Sequence, residues 1–344
     1  MAGRYQDIER EMKGGFFMKR QGFVLSFVIG FIFVLTILTG TSLGQEAKYP
    51  NKPIQVIIPY GPGGTHDIAA RIVDGQLQEI LKVPIIHVNK PGGGGVIGAA
   101  YAKEQKPDGY TILYGGLTVV VELPIVTPNS PYKTEDFIPI ARVTYGALVL
   151  SVKKDSPLNS LEEFIKAAKK DPGKISLGIP GIGTSQHLVA KLFETEAKIE
   201  LNVIPFKGDG PSITALLGGH VQAVITGITS ITPHLTSGEV NTIASSGLDR
   251  HAVFKDVPLF KEKGLPEVAI YSWTGPFVPA GTPAPVVKIL SDAYRDAANH
   301  PSIVSLLEKS GTTPGYLSSE EVKKLVPSEY SKIFKAAKAA GLIK

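Results

Sequence analysis

Along most of this chain, short apolar runs alternate with longer stretches of helical period, in two successive series. Residues 54–59 read as a buried strand, 68–81 as an amphipathic helix and 85–89 as a strand. A helix over 96–106 and a strand over 110–114 complete a βαβαβ unit. A second series begins at a strand over 148–153. It continues with a helix at 160–170, capped by Ser160 with Glu163 three residues on, and a strand at 174–179. A helix at 186–196, a strand at 200–205, a helix at 211–217 and a strand at 221–226 follow. Such alternation gives parallel sheets with helices on both faces. After Trp273 a strand at 275–278 and two terminal helices, 285–299 and 319–340, have little sheet of their own, so they are expected to pack back on the first series. The expected fold class is therefore α/β with two lobes, each a mostly parallel sheet flanked by helices, and a cleft between them.

At 344 residues the chain is long enough for two cores of ordinary size. It has no cysteine, which excludes disulfides, thiolate metal sites, a cysteine nucleophile and a lipoprotein anchor. Residues 1–44 carry five basic and three acidic residues, which leaves +3 of the chain's +5 to the remainder. So mild a charge, with no long basic run, argues against nucleic-acid binding. Lys19 and Arg20 precede a nearly unbroken apolar run over 23–38, and small or polar residues follow it. This order predicts a signal peptide over 1–44, with Met18 as an alternative start, and a cut before Gln45 or after Ala47. An uncleaved anchor is the competing reading, although the run falls short of the roughly 20 apolar residues that span a bilayer.

Two similar glycine turns carry the functional argument, one per series. The first runs Pro59-Tyr60-Gly61-Pro62-Gly63-Gly64-Thr65-His66-Asp67, and the second Pro180-Gly181-Ile182-Gly183-Thr184-Ser185. Each joins a strand to a helix, where glycines expose backbone N–H groups and the helix N-terminus favours an anion. Each turn alone reads equally well as a capped junction; their pairing points to one small anion held from both sides. In open α/β sheets such turns lie where ligands bind.

Several segments resemble the Bug-type receptors of tripartite tricarboxylate transporters. They include Tyr49-Pro50-Asn51-Lys52-Pro53-Ile54, Pro62-Gly63-Gly64-Thr65-His66-Asp67, Asn89-Lys90-Pro91-Gly92-Gly93 and Pro107-Asp108-Gly109-Tyr110-Thr111. Pro205-Phe206-Lys207-Gly208, Gly218-Gly219-His220-Val221 and Ser272-Trp273-Thr274-Gly275 continue the likeness in the same order. The resemblance implies a periplasmic-binding-protein fold of the type II kind, hinged near 145–150 and 270–275. Lobe 1 would comprise 45–147 plus 272–344, and lobe 2 would comprise 148–271. It also implies a ligand carboxylate held by the two turns, often through waters, with Asp67 helping to position it. The implied substrate-binding residues are Tyr60, Gly63, Gly64, Thr65, His66 and Asp67, with Gly183, Thr184 and Ser185 opposite. Thr118 and Thr226 are added in the distal cleft. His66 and Thr226 depart from the family pattern, the latter standing where many members have an aspartate.

Other signals carry less. Gly93-Gly94-Gly95-Val96-Ile97-Gly98 matches G-x-G-x-x-G, but it follows the second strand and lacks the acid that should end the next one, so a cleft-rim turn is expected instead of a dinucleotide site. Ser185 with a distant histidine would make a secreted serine hydrolase, although Gly183-Thr184-Ser185-Gln186-His187 lacks the last glycine of that motif. The histidines show no metal-ligand spacing. Lys207 reads as a surface or a cleft charge, and Trp273 as hinge packing or a ligand-stacking ring. The expected protein is a monomeric, exported receptor without cofactor or catalytic residues. Its partners would be a small carboxylate and the permease subunits of a tripartite transporter. A ligand-sensing module feeding a signalling partner remains a further reading. With no formal negative charge expected around Thr118, Thr226 and Thr229, a di- or tricarboxylate or an aromatic carboxylate is preferred to an amino acid.

Overall fold

The computed structural model describes residues 48–251 and 254–344. The expected signal segment, its cleavage sites and the alternative start lie outside the described residues. The first series forms β1 (Ile54–Ile58), α1 (Thr65–Leu81), β2 (Ile85–Asn89), α2 (Val96–Lys103) and β3 (Thr111–Gly116). A buried π turn, Thr118–Glu122, follows and runs into α3 (Leu123–Val126). Next come β4 (Phe137–Pro139), β5 (Ala141–Lys153), α4 (Leu161–Lys170), β6 (Ser176–Ile179) and α5 (Ser185–Ala197). The second series ends with β7 (Asn202–Pro205), α6 (Asp209–Leu217), β8 (Ala223–Gly227), α7 (Ile228–Thr236) and β9 (Val240–Ser245). The chain closes through β10 (Tyr271–Pro279), α8 (Ala284–Ala298), α9 (Pro301–Lys309), β11 (Thr313–Ser318) and α10 (Ser319–Ala339).

The strand order is β2-β1-β3-β10-β5-β8-β6-β7. Strands β1, β2 and β3 are parallel, as are β6, β7 and β8, while β10 and β5 run antiparallel to their neighbours. Largely apolar runs such as Ile54-Gln55-Val56-Ile57-Ile58 suit strands covered on both faces. The spine is β5. Its first part pairs with β10, from Thr144↔Thr274 to Ala147↔Tyr271, and its second part pairs with β8 from Leu148↔Gly227. One uninterrupted strand thus belongs to both halves of the sheet. Ser246 braces the crossing. Its hydroxyl accepts from the Leu148 N–H at 3.0 Å and donates to the Ile270 carbonyl, so both connecting segments hang on one side chain.

Helix α4 begins as expected, with Ser160 accepting from the Glu163 N–H at 3.2 Å. It buries Leu161, Phe164 and Ala168 at helical spacing. Phe164, Phe193 and Phe260 meet ring to ring beneath it, at centroid separations of 5.9 and 5.1 Å. At the other end of the molecule, α8 is tied to the first series: Tyr294 Oη donates to Asp74 of α1, which also meets His87 of β2 at 2.9 Å. The terminal region holds more than the two expected helices, because α9 and β11 intervene. His300-Pro301 stops α8 and restarts a helix with proline at its first position, which sequence periodicity reads as an end. Strand β11 contains Pro314 and Gly315 and is bulged, and α7 contains Pro233 within a threonine-rich run, so neither carries a clean periodic signal.

Candidate functional site

Both glycine turns adopt one design. Gly63 and Gly183 have φ of 76° and 80°, a left-handed conformation that other residues reach only with strain. In the first turn the Gly63 N–H donates to Asp67 Oδ2 at 3.0 Å. In the second the Gly183 N–H donates to His187 Nδ1 at 3.2 Å. The acceptor sits four residues after the glycine in both, folding the first helical turn back over the loop. Asp67 is buried, and burial pushes its carboxyl up. The bonds from Arg71 (3.0 Å), the Gly63 N–H and Asn89 (3.0 Å) outweigh that and hold it below the ordinary carboxylate range. His187 must be neutral to accept at Nδ1, and burial, reinforced by Lys191, lowers it to about 4.

The loops close against each other across the two halves. The Gly61 N–H donates to the Lys207 carbonyl at 2.8 Å. Gly94, in the glycine-rich rim loop, sits so close to the Ile182 carbonyl that a Cβ there would run into it. The first residue of each turn helix then reaches a buried carboxyl group of the opposite half. Thr65 Oγ1 donates to Asp209 Oδ2 at 3.2 Å, and Ser185 Oγ donates to Glu122 Oε2 at 2.7 Å. Each pair has a third hydroxyl. Ser230 meets Thr65 at 3.1 Å and donates to Asp209 at 2.8 Å, while Thr118 meets Ser185 at 2.7 Å. Burial raises both carboxyls, Glu122 to about 7, although the hydroxyl bonds pull the other way. So joined, residues 50–344 form one compact unit.

Between these contacts and the crossing strands lies a cavity of about 40 Å³, measured as space for the centres of water molecules. A water needs ~10–15 Å³ on that measure, so roughly three waters, or one small polar head group, fill it. Tyr60, Thr65, His66, Thr118, Gln186 and Asp209 line it, with Gly64 beside Thr65 and Trp273 of β10 as part of its wall. The His66 ring packs 4.7 Å from that of Tyr60, and burial lowers it to about 3, so it is neutral. Its Nε2 and the Nε1–H of Trp273 are buried without a hydrogen-bond partner among the described residues.

Of the residues named from the sequence, the structure brings Tyr60, Gly64, Thr65, His66 and Thr118 to the cavity wall. Gly63, Asp67, Gly183, Thr184 and Ser185 stand behind it and hold the turns in shape. Thr184 caps α5 by accepting from the His187 N–H at 3.3 Å. Thr226 is fully buried with its hydroxyl unpartnered among the described residues. Lys207 contributes its carbonyl while its side chain is exposed, and Trp273, almost fully buried, forms part of the cavity wall. Sequence reasoning missed Gln186, Asp209 and Glu122. Asp209 opens α6 within Gly208-Asp209-Gly210, a third glycine turn after a strand, and that pattern was the available signal.

Residues 69–342 match the tripartite tricarboxylate transporter family receptor profile. The chain is 32% identical to the protein BugT of Bordetella pertussis over 304 residues, which span 88% of this chain and 93% of BugT. Among solved structures it resembles MatC from Rhodopseudomonas palustris with bound malate, at TM-score 0.80 and 27% identity, covering 84% of this chain and 99% of MatC. It also resembles a second protein of R. palustris, solved with adipate, at TM-score 0.82 and 28% identity, with 85% and 98% covered. The architecture is that of these periplasmic binding proteins, and the relatives are receptors rather than enzymes.

Proposed function

The chain belongs to the tripartite tricarboxylate transporter receptor family, and from that premise we propose that it is an exported, extracytoplasmic receptor that captures a small carboxylate and hands it to the permease subunits of such a transporter. The observation that carries the reading is the cavity closed between the two glycine turns, at the carboxyl ends of the strands in both halves. Malate and adipate in two structural relatives support the carboxylate class. In this reading residues 45–147 with 272–344 and residues 148–271 are the lobes, which swing about 145–150 and 270–275 to admit the ligand and close over it. Among the described residues no helix is long and apolar enough to cross a membrane; the apolar run over 23–38 lies outside them.

The hydrolase reading has no support at Ser185. Its hydroxyl is fully buried and spent on Glu122 and Thr118, and the nearby His187 turns its Nδ1 to the Gly183 amide. The test of the receptor reading is thermal melting of the purified protein with carboxylates, amino acids and sugars. A carboxylate-dependent rise in melting temperature, weakened in Thr65→Val and His66→Ala, is the expected result. Stabilisation by neutral sugars alone would overturn it. Delivery is tested by carboxylate uptake in cells carrying the permease with and without the receptor, and uptake independent of the receptor would refute that part.

A further inference from the structure

The cavity that is to receive a carboxylate already holds one. Asp209 is 5% exposed and lines the wall. No Lys, Arg or His among the described residues pairs with it. Its neighbours are neutral: the Thr65 and Ser230 hydroxyls, Gln186 Nε2 at 3.3 Å, and the backbone amides of Thr65 and Gly227. Burial pushes the Asp209 carboxyl up, and these donors, with the positive end of α1, pull only part of the way back, so a cationic partner is what would hold it ionised. None of them supplies a neutralising charge, and buried charges in proteins are as a rule paired. A purely anionic ligand in a cavity this small would place like charges together in a dry site, where their repulsion is far less screened than in water.

The rest of the wall has the complementary character. Among the described residues the Trp273 Nε1–H is a buried donor without a partner, and the neutral His66 ring has a second nitrogen without one. The lining therefore offers an acceptor at Asp209 and a donor at Trp273, with the His66 nitrogen as a further polar group. A molecule carrying its own cationic donor close to a carboxylate can satisfy both Asp209 and Trp273. A plain dicarboxylate can satisfy only Trp273.

We propose that Asp209 is the specificity-determining residue of the site and that the ligand is a carboxylate bearing an ammonium group, an amino acid, whose ammonium meets Asp209 while its carboxylate faces Trp273 and His66. This rests on the carboxylate-receptor reading above and narrows it. The ground for preferring other acids, an absence of negative charge in the distal cleft, is removed by the position of Asp209.

The test is calorimetric titration of the full protein with acids that differ only in the amino group: aspartate against succinate, glutamate against glutarate, 2-aminobutyrate against butyrate. Malate against succinate separates a neutral donor from a cationic one. The amino member of a binding pair should be favoured by ~10-fold or more, the size of one charge-assisted hydrogen bond, with malate between. In Asp209→Asn that preference should shrink to within ~3-fold. The comparison within the wild-type protein stands even if the variant folds poorly. A best-binding carboxylate that carries no ammonium group overturns the proposal, as does a preference that survives in well-folded Asp209→Asn. If no carboxylate of either kind binds, the receptor reading falls, and this inference falls with it.

Discussion

Glu122 gives the sharpest quantitative prediction. It ends the π turn after β3 and is 1% exposed; one oxygen accepts from Ser185 and the other has no partner among the described residues. Burial raises it from 4.5 to about 7, with a smaller push from Glu329 and an opposing pull from the hydroxyls. Because the folded form holds its proton more tightly than the unfolded chain, the contribution is complete below the unfolded value and is lost as pH rises through the folded one. At ~1.4 kcal/mol per pH unit, the rise from 4.5 to about 7 corresponds to about 3 kcal/mol lost across that range. Other groups, His187 among them, slope the opposite way, so the quantity to measure is the difference between wild type and Glu122→Gln. Urea denaturation at half-unit steps from pH 4.5 to 8 gives it. The stability of the wild type relative to the variant should fall by about 3 kcal/mol over that window. A gap that stays constant to within ~1 kcal/mol would mean that Glu122 is ionised in the fold throughout, and the argument from its burial would be wrong.

Three further outcomes follow from single contacts. Ser246→Ala strands the Leu148 N–H and the Ile270 carbonyl and should cost about 1–3 kcal/mol in urea unfolding; a loss near zero would deny the brace any role. Gly94→Val puts side-chain atoms into the Ile182 carbonyl at a φ of 66°; at about 1–3 kcal/mol of strain it should weaken ligand affinity ~10-fold by titration, and unchanged affinity would show that closure does not need that approach. The His187 ring is neutral down to about pH 4 in the fold and near 6.5 when unfolded, so its stabilising bond from Gly183 is present above pH 6.5 and lost as pH falls through 4; ring-proton NMR should report a midpoint near 4, and one near 6.5 would refute the acceptor geometry.

What could be read from the sequence was what is local. Ile54-Gln55-Val56-Ile57-Ile58 announces a buried strand, Ser160 with Glu163 announces a helix start, and the two glycine turns are visible as turns. The roles within those turns are not visible, because the same Pro-Gly-Gly-Thr can present its amides to a ligand or spend one on the helix that follows. Here Asp67 and His187 take the Gly63 and Gly183 amides, a pairing that links an acid in one turn to an imidazole in the other and so leaves no common residue signature. The partners of Asp209 and Glu122 were hidden for another reason, although the glycine turn around Asp209 is visible. Each acquires its meaning from a hydroxyl far away in the chain, and only the closing of one half on the other brings Thr65 to Asp209 and Ser185 to Glu122. Gln186, next to Ser185, was passed over because nothing local shows which way its helix start faces.

The pairing of Ala147 with Tyr271 has a consequence for how the gene can be cut and joined. Everything between these two positions leaves the first sheet at one rung of a ladder and returns at the same rung, bound there again by Ser246. To the remainder of the chain this long excursion is a single hairpin loop, whose closure entropy grows only by ~0.6 kcal/mol per doubling of length. A short glycine-bearing turn spliced between 147 and 271 should therefore let the outer segments fold without it. In the same way, a foreign α/β unit with adjacent termini is a legitimate graft at that rung.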